Sequence, residues 1–221
     1  MKKISRLILA LDETEGKKAL EIAKKLSAVV DAIKLGYPLV LSSGIDIIKE
    51  ISKLTYVLCD FKIADIPNTN LLIMKQAFDK GADGIIVHGF VGTDSVKACT
   101  EGAKLIGKDV FIVTEMSNEG ALQYLKPISN ELAKLAVKLG ATGIIAPGNR
   151  PDRIRELRSI VGSLLILCPG IGAQGGDAKS AISAGADYVI VGRSIYLADD
   201  PKKAAIEIIN EIKESSQVAT Q

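Results

Sequence analysis

The chain has 221 residues, 28 basic and 26 acidic side chains, 48% hydrophobic residues and no tryptophan. That length suits one sizeable domain or two small ones with a full core, and a net charge of +2 supplies no general attraction to nucleic acid or to a membrane surface. Five tyrosines and four phenylalanines are too few for a base-stacking platform, and the scattered Cys59, Cys99 and Cys168 form neither a disulfide framework nor paired zinc spacing.

The three cysteines read as small buried hydrophobes in a reducing compartment. The opening MKKISRLILALDETEG has an apolar run too short for a signal peptide. The longest uncharged stretch, between Arg158 and Asp177, is interrupted by Gly162, Pro169, Gly170, Gly172, Gly175 and Gly176, too many breaks for a membrane helix. A cytoplasmic protein without nucleic-acid or membrane partners is expected.

In chain order the strand candidates are LILAL (7–11), AIKLG (32–36), VLCDFK (57–62), GIIVHG (84–89), VFIVTE (110–115), GIIAPG (143–148), LLILCPG (164–170) and YVIVG (188–192). They are rich in Val, Ile and Leu and lack polar alternation, as strands covered on both faces should be. Between them run helical patterns such as KKALEIAKKLSAVV, IDIIKEISKL and NELAKLAVKLG, and a last one, PKKAAIEIINEIKE, opens on Pro201 at a first-turn position. KGADGIIVHG, LGATGIIAPG and AGADYVIVGR look like internal repeats, in which Gly81, Gly140 and Gly185 end a helix in a left-handed cap just before a strand. Eight βα units sharing 221 residues have about 28 apiece, which predicts a single α/β domain over residues 1–221, a (β/α)8 TIM barrel. Residues 215–221 read as a polar tail. An open doubly wound sheet is the competing reading, but its first turn would carry a glycine fingerprint where this chain has DETEG.

Chemistry in a barrel gathers at the C-terminal ends of the strands. There Asp12 closes the first strand, Lys34 lies in the second, Asp60 and Lys62 end the third, and Asp65 follows in the next loop. Asp60 and Lys62 are two apart and so share the lumen side, with Phe61 toward the helices and Lys34 within reach of Asp60. Alternating charges can all stay ionised. A structural ion-pair network is the competing reading. The seventh strand runs into Pro169-Gly170-Ile171-Gly172-Ala173-Gln174-Gly175-Gly176-Asp177 and the eighth into Gly192-Arg193-Ser194, the usual phosphate site of this fold, against plain tight turns as the alternative. His88, the only histidine, reads equally as a wall residue or a catalytic one. Ser117 has no histidine partner for a nucleophilic triad, and Glu115 reads as a network member or a wall residue.

With LALD around Asp12, IKLGYPLVLSSG around Lys34, TEMS before Asn118, PGIGAQGGD and VGRSIYLADDP, the pattern Asp60-Phe61-Lys62-Ile63-Ala64-Asp65 resembles the orotidine 5′-monophosphate decarboxylase family in its short archaeal-like form. Asn118-Glu119 stands where that family often has His-Pro. The sister barrels, 3-keto-L-gulonate 6-phosphate decarboxylase and hexulose 6-phosphate synthase, share the DxKxxD pattern but use Mg²⁺ and carry a glutamate at the position of Lys34. The resemblance implies decarboxylation of orotidine 5′-monophosphate to uridine 5′-monophosphate, the last step of pyrimidine nucleotide synthesis, without metal or cofactor. It implies that Lys62 protonates C6, that Asp60 lies beside the substrate carboxylate, and that Asp12 and Lys34 hold the ribose and the charged network. Asp65 and Thr69 would reach the neighbouring site of a homodimer, and Ser117 would bind the pyrimidine edge. Pro169 would line the base, Gln174 would bridge base and phosphate, and Gly192 and Arg193 would bind phosphate. The alternatives are a Mg²⁺-dependent sugar-phosphate enzyme of the sister type and a non-catalytic phosphate-ligand-binding barrel.

Overall fold

The computed structural model describes residues 1–218. Eight parallel strands close on themselves in sequence order: β1 (Leu7–Leu11), β2 (Ala32–Gly36), β3 (Val57–Ile63), β4 (Gly84–His88), β5 (Asp109–Val113), β6 (Gly143–Ile145), β7 (Leu165–Pro169) and β8 (Tyr188–Val191). The expected (β/α)8 barrel is the observed one. Every expected strand is present, with β6 the shortest at three residues. The last helix, Pro201–Val218, starts on its proline and continues into the segment read as a polar tail. Residues 219–221 lie outside the described residues.

Alternation along the strands separates two cores. Ile8, Leu58, Ile86, Phe111, Leu167 and Tyr188 point into the lumen and fill it, while Leu7, Leu9, Cys59, Ile85, Ile112 and Val189 point outward under the helices. A parallel strand is thereby apolar on both faces, which is why the sequence shows runs rather than alternation. The three cysteines are free and buried in the outer layer.

The repeated glycines do what their positions require. Gly81, Gly140 and Gly185 have φ of +96°, +65° and +111°, a left-handed region that favours glycine. Two residues later in each repeat stand Asp83, Thr142 and Asp187, whose side-chain oxygens accept the N–H of Val57, Val110 and Ile166 at 3.0, 3.1 and 2.9 Å. Each repeat thus pins the start of the preceding strand and closes the lower rim of the barrel. Chemistry is left to the opposite end.

Candidate active site

β3 is where the regular pattern breaks. Leu58 and Cys59 pair with Gly84 and Ile85 of β4, but the next pair is Ile63 with Val87, so β3 carries extra residues in a bulge. Lys62 sits in it at φ +40°, a strained conformation for a side-chain-bearing residue. The expectation that Asp60 and Lys62 face the same way is met, and the bulge aims the lysine back at its neighbour. Lys62 Nζ donates to both Asp60 carboxylate oxygens at 2.7 and 2.8 Å. Phe61 is buried outward and stacks on Tyr37 with ring centroids 5.3 Å apart.

Lys34, from β2, lies 2.9 Å from the same Asp60 and 3.7 Å from Asp12 at the end of β1. Burial works against the Lys34 ammonium, but Asp60 and Asp12 outweigh it and hold the group above the ordinary lysine range. Burial likewise works against the Asp60 carboxylate, and Lys34 and Lys62 outweigh it and hold it below the usual range. Asp12–Lys34–Asp60–Lys62 is therefore a chain of alternating charges drawn from three adjacent strands. Asp65 is not part of it within the protomer. It is exposed, and its carboxylate accepts the N–H of Ile66 at 2.7 Å instead.

The chain of charges borders a cavity of about 330 Å³ in the barrel mouth. Asp12, Lys34, Asp60 and Lys62 line one side, and Ile86, Val113, Ile145 and Pro169 form an apolar wall. Ser117, Gln174, Gly192 and Arg193 also line it, as do Tyr196 and Met116, which the sequence reading did not single out. The loop after β7 folds back over the cavity: Gly176 N–H donates to Gly170 O at 3.0 Å, and Ser117 Oγ donates to Gln174 Oε1 at 2.6 Å. Gly170, at φ +95°, presses so closely on Ser117 that a Cβ would come within 2.7 Å of the serine Cβ. Thr69 lies half-buried on the helix Pro67–Asp79, outside the cavity lining.

Of the residues whose role was left open, Glu115 is fully buried between Arg150 and Arg153. His88 lies at the end of β4, its ring 4.6 Å from Phe90 and its Nδ1 buried with no hydrogen-bond partner among the described residues. Burial, helped by the nearby Lys62 charge, pushes the imidazole down to about 4. The folded protein then binds fewer protons than the unfolded chain between about 4 and 6.5, so stability should fall as pH drops through that window. Melting curves of His88→Gln should lose the part of this slope between pH 6.5 and 5, where carboxylates contribute little; an unchanged slope would place its origin elsewhere.

Fold and site together define a (β/α)8-barrel enzyme with a buried lysine–carboxylate centre under a glycine-rich loop. The chain belongs to the orotidine 5′-phosphate decarboxylase / HUMPS family, whose model matches residues 5–208. It is 54% identical over 214 residues to an orotidine 5′-phosphate decarboxylase of Methanosarcina mazei, covering 96% of this chain and 97% of that one. It is also similar to the crystal structure of orotidine 5′-monophosphate decarboxylase from Methanocaldococcus jannaschii complexed with the inhibitor BMP, with a TM-score of 0.89 and 49% identity over 93% of this chain and 97% of that chain. The Pyrococcus horikoshii orotidine 5′-phosphate decarboxylase structure gives a TM-score of 0.86 at 46% identity, covering 94% and 99% of the two chains. No described helix is long and apolar enough to cross a membrane.

Proposed function

We infer that this protein is a carboxy-lyase that converts orotidine 5′-monophosphate to uridine 5′-monophosphate and CO₂ in pyrimidine biosynthesis. The observation that carries the reading is Lys62 Nζ, held by both oxygens of a buried Asp60 that is itself held by Lys34, at the floor of a nucleotide-sized mouth. As the bond from C6 to the carboxylate breaks, its electron pair stays on C6, CO₂ leaves, and the Lys62 proton moves to that carbon. A fixed ammonium at this point stabilises the developing charge without reorganising, and the apolar wall of Ile86, Val113 and Ile145 keeps the interaction from being screened. Asp60, kept ionised, repels the substrate carboxylate, and that repulsion is relieved as CO₂ departs.

Asp12 and Lys34 hold the ribose, Ser117 reads the pyrimidine edge, and Pro169 packs on the base. Gly192 and Arg193 bind the phosphate, with Gln174 bridging it to the base. The phosphate is remote from the reacting bond, so its binding energy serves to close the 170–177 loop and exclude water. Gln174→Ala is accordingly expected to raise KM by roughly tenfold with kcat within about twofold, in steady-state kinetics. A fall in kcat alone would assign Gln174 to the chemical step.

The protein acts as a homodimer in the cytoplasm, with Asp65 and Thr69 completing the partner's site. Support comes from the exposed Asp65 and from the exposed apolar side chains near it in the chain or after the next strand: Ile66, Leu72 on the helix Pro67–Asp79, and Phe90 in the turn after β4, at 64%, 57% and 50% exposure. A lysine at position 34 in place of a carboxylate disfavours a divalent-cation enzyme of the sister type. The test is to incubate the purified protein with orotidine 5′-monophosphate and a chelator and follow the pyrimidine absorbance. Turnover undiminished by EDTA is expected; untouched substrate, or loss of activity on chelation, would overturn the reading.

A further inference from the structure

The side of the mouth opposite the lysines is organised by charges that never reach the cavity. Glu115 immediately precedes Met116 and Ser117, and its carboxylate, with 0% exposure, takes Arg153 Nε at 2.8 Å and Arg150 Nη1 at 3.3 Å. Arg150 directs its other contacts to consecutive main-chain carbonyls: Met116 at 2.9 Å, Ser117 at 3.4 Å and Asn118 at 2.9 Å. The loop that presents Ser117 is thus wrapped around one planar guanidinium, whose orientation a buried carboxylate sets.

Asn149, the residue just before Arg150, joins this loop to the one across the mouth. Its Nδ2 donates to Ser117 O at 3.0 Å and reaches Gln174 O at 3.5 Å. Its Oδ1 is buried without a partner. Turning the amide over would set that oxygen against two carbonyl oxygens, so the donor orientation persists although it strands an acceptor. The Ser117–Gln174 side-chain contact is therefore doubled by a strap to the main chain of both loops, delivered from a third element.

We propose that Asn149 and the Glu115-anchored Arg150 are positioning residues that make the Ser117 loop and the Gln174 loop close as one unit. Gripping the phosphate end of the substrate then also sets the serine at the pyrimidine end. Neither Asn149 nor Arg150 lines the cavity, so both act through the loops. The substrate assignment rests on the decarboxylase reading above; the coupling is a property of the loops themselves.

The test compares orotidine 5′-monophosphate with orotidine, which lacks the phosphate. Asn149→Ala is expected to lower kcat/KM for the nucleotide about tenfold, the effect of losing one or two hydrogen bonds, and to leave orotidine turnover within about twofold. In a Gln174→Ala background the same substitution should cost more than it does alone, because Gln174→Ala removes only the side-chain contact to Ser117 and leaves the Asn149 bond to the main chain as the remaining tie. Arg150→Lys keeps a charge beside Glu115 but lacks the fork, so it should show the same substrate-dependent loss and serves if the alanine variant does not fold. Equal losses on both substrates, or full additivity with Gln174→Ala, would overturn the proposal in favour of a general structural role. If the wild-type protein leaves the nucleotide untouched, the decarboxylase reading fails separately, and amide hydrogen exchange on the free protein decides the coupling. Faster exchange in the 117–120 and 172–176 segments together then supports it, and faster exchange in one alone overturns it.

Discussion

Lys62→Ala should lower kcat by at least about 10⁴-fold, since one substitution removes both the charge that stabilises the carbanion and the proton that quenches it. The fold should survive, because the buried Asp60 keeps Lys34 at 2.9 Å and Lys34 keeps Asp12. Circular dichroism and a melting curve check the fold, and single-turnover kinetics check the loss. Turnover close to wild type in the alanine variant would sink the mechanism. A second comparison isolates the backbone. At φ +40° a glycine is less strained than an alanine, so Lys62→Gly should be about 1 kcal/mol more stable than Lys62→Ala while being equally inactive. A lysine retained where glycine would be more comfortable is the pattern of strain kept at a functional site.

Mixing Lys62→Ala protein with Asp65→Ala protein should restore activity that neither has alone. If each site takes Lys62 from one subunit and Asp65 from its partner, a hybrid dimer has one intact site and one lacking both residues. Random reassortment of an equal mixture makes half the dimers hybrid, so about a quarter of wild-type activity is expected. No recovery after subunit exchange, confirmed by mass spectrometry, would confine Asp65 to its own protomer. In that protomer Asp65 is exposed and caps its own loop at Ile66, and no ion pair joins it to Lys62 among the described residues. Any catalytic use therefore has to come from another chain or from a rearranged loop.

Much of the site was legible from local pattern. Asp60 and Lys62 stood out because charges inside an apolar run need partners, and the count of strands put those partners at one end of a barrel. The turn glycines were legible because a left-handed residue between helix and strand is a requirement of a few adjacent residues. Less visible were Glu115, Arg150 and Asn149. Glu115 and Arg150 are 35 residues apart, and Asn149 meets Gln174 25 residues away. The run PGNRPDR after β6 held the available signal, since it lies at the same end of the barrel as the other site residues.

The sequence by itself determined the number of strands, the caps between them, and four of the charges at the mouth, Asp12, Lys34, Asp60 and Lys62. These follow from periodicities of a few residues and from the cost of burying an unpaired charge. The near balance of 28 basic and 26 acidic residues conceals them, because net charge carries no position. Only the tertiary structure decided the bulge that turns Lys62 onto Asp60, the exposure of Asp65, and the strap that Asn149 makes between two loops. Each of these depends on the register of a strand against its neighbour or on how far a loop reaches across the barrel mouth, and both are set when the sheet closes.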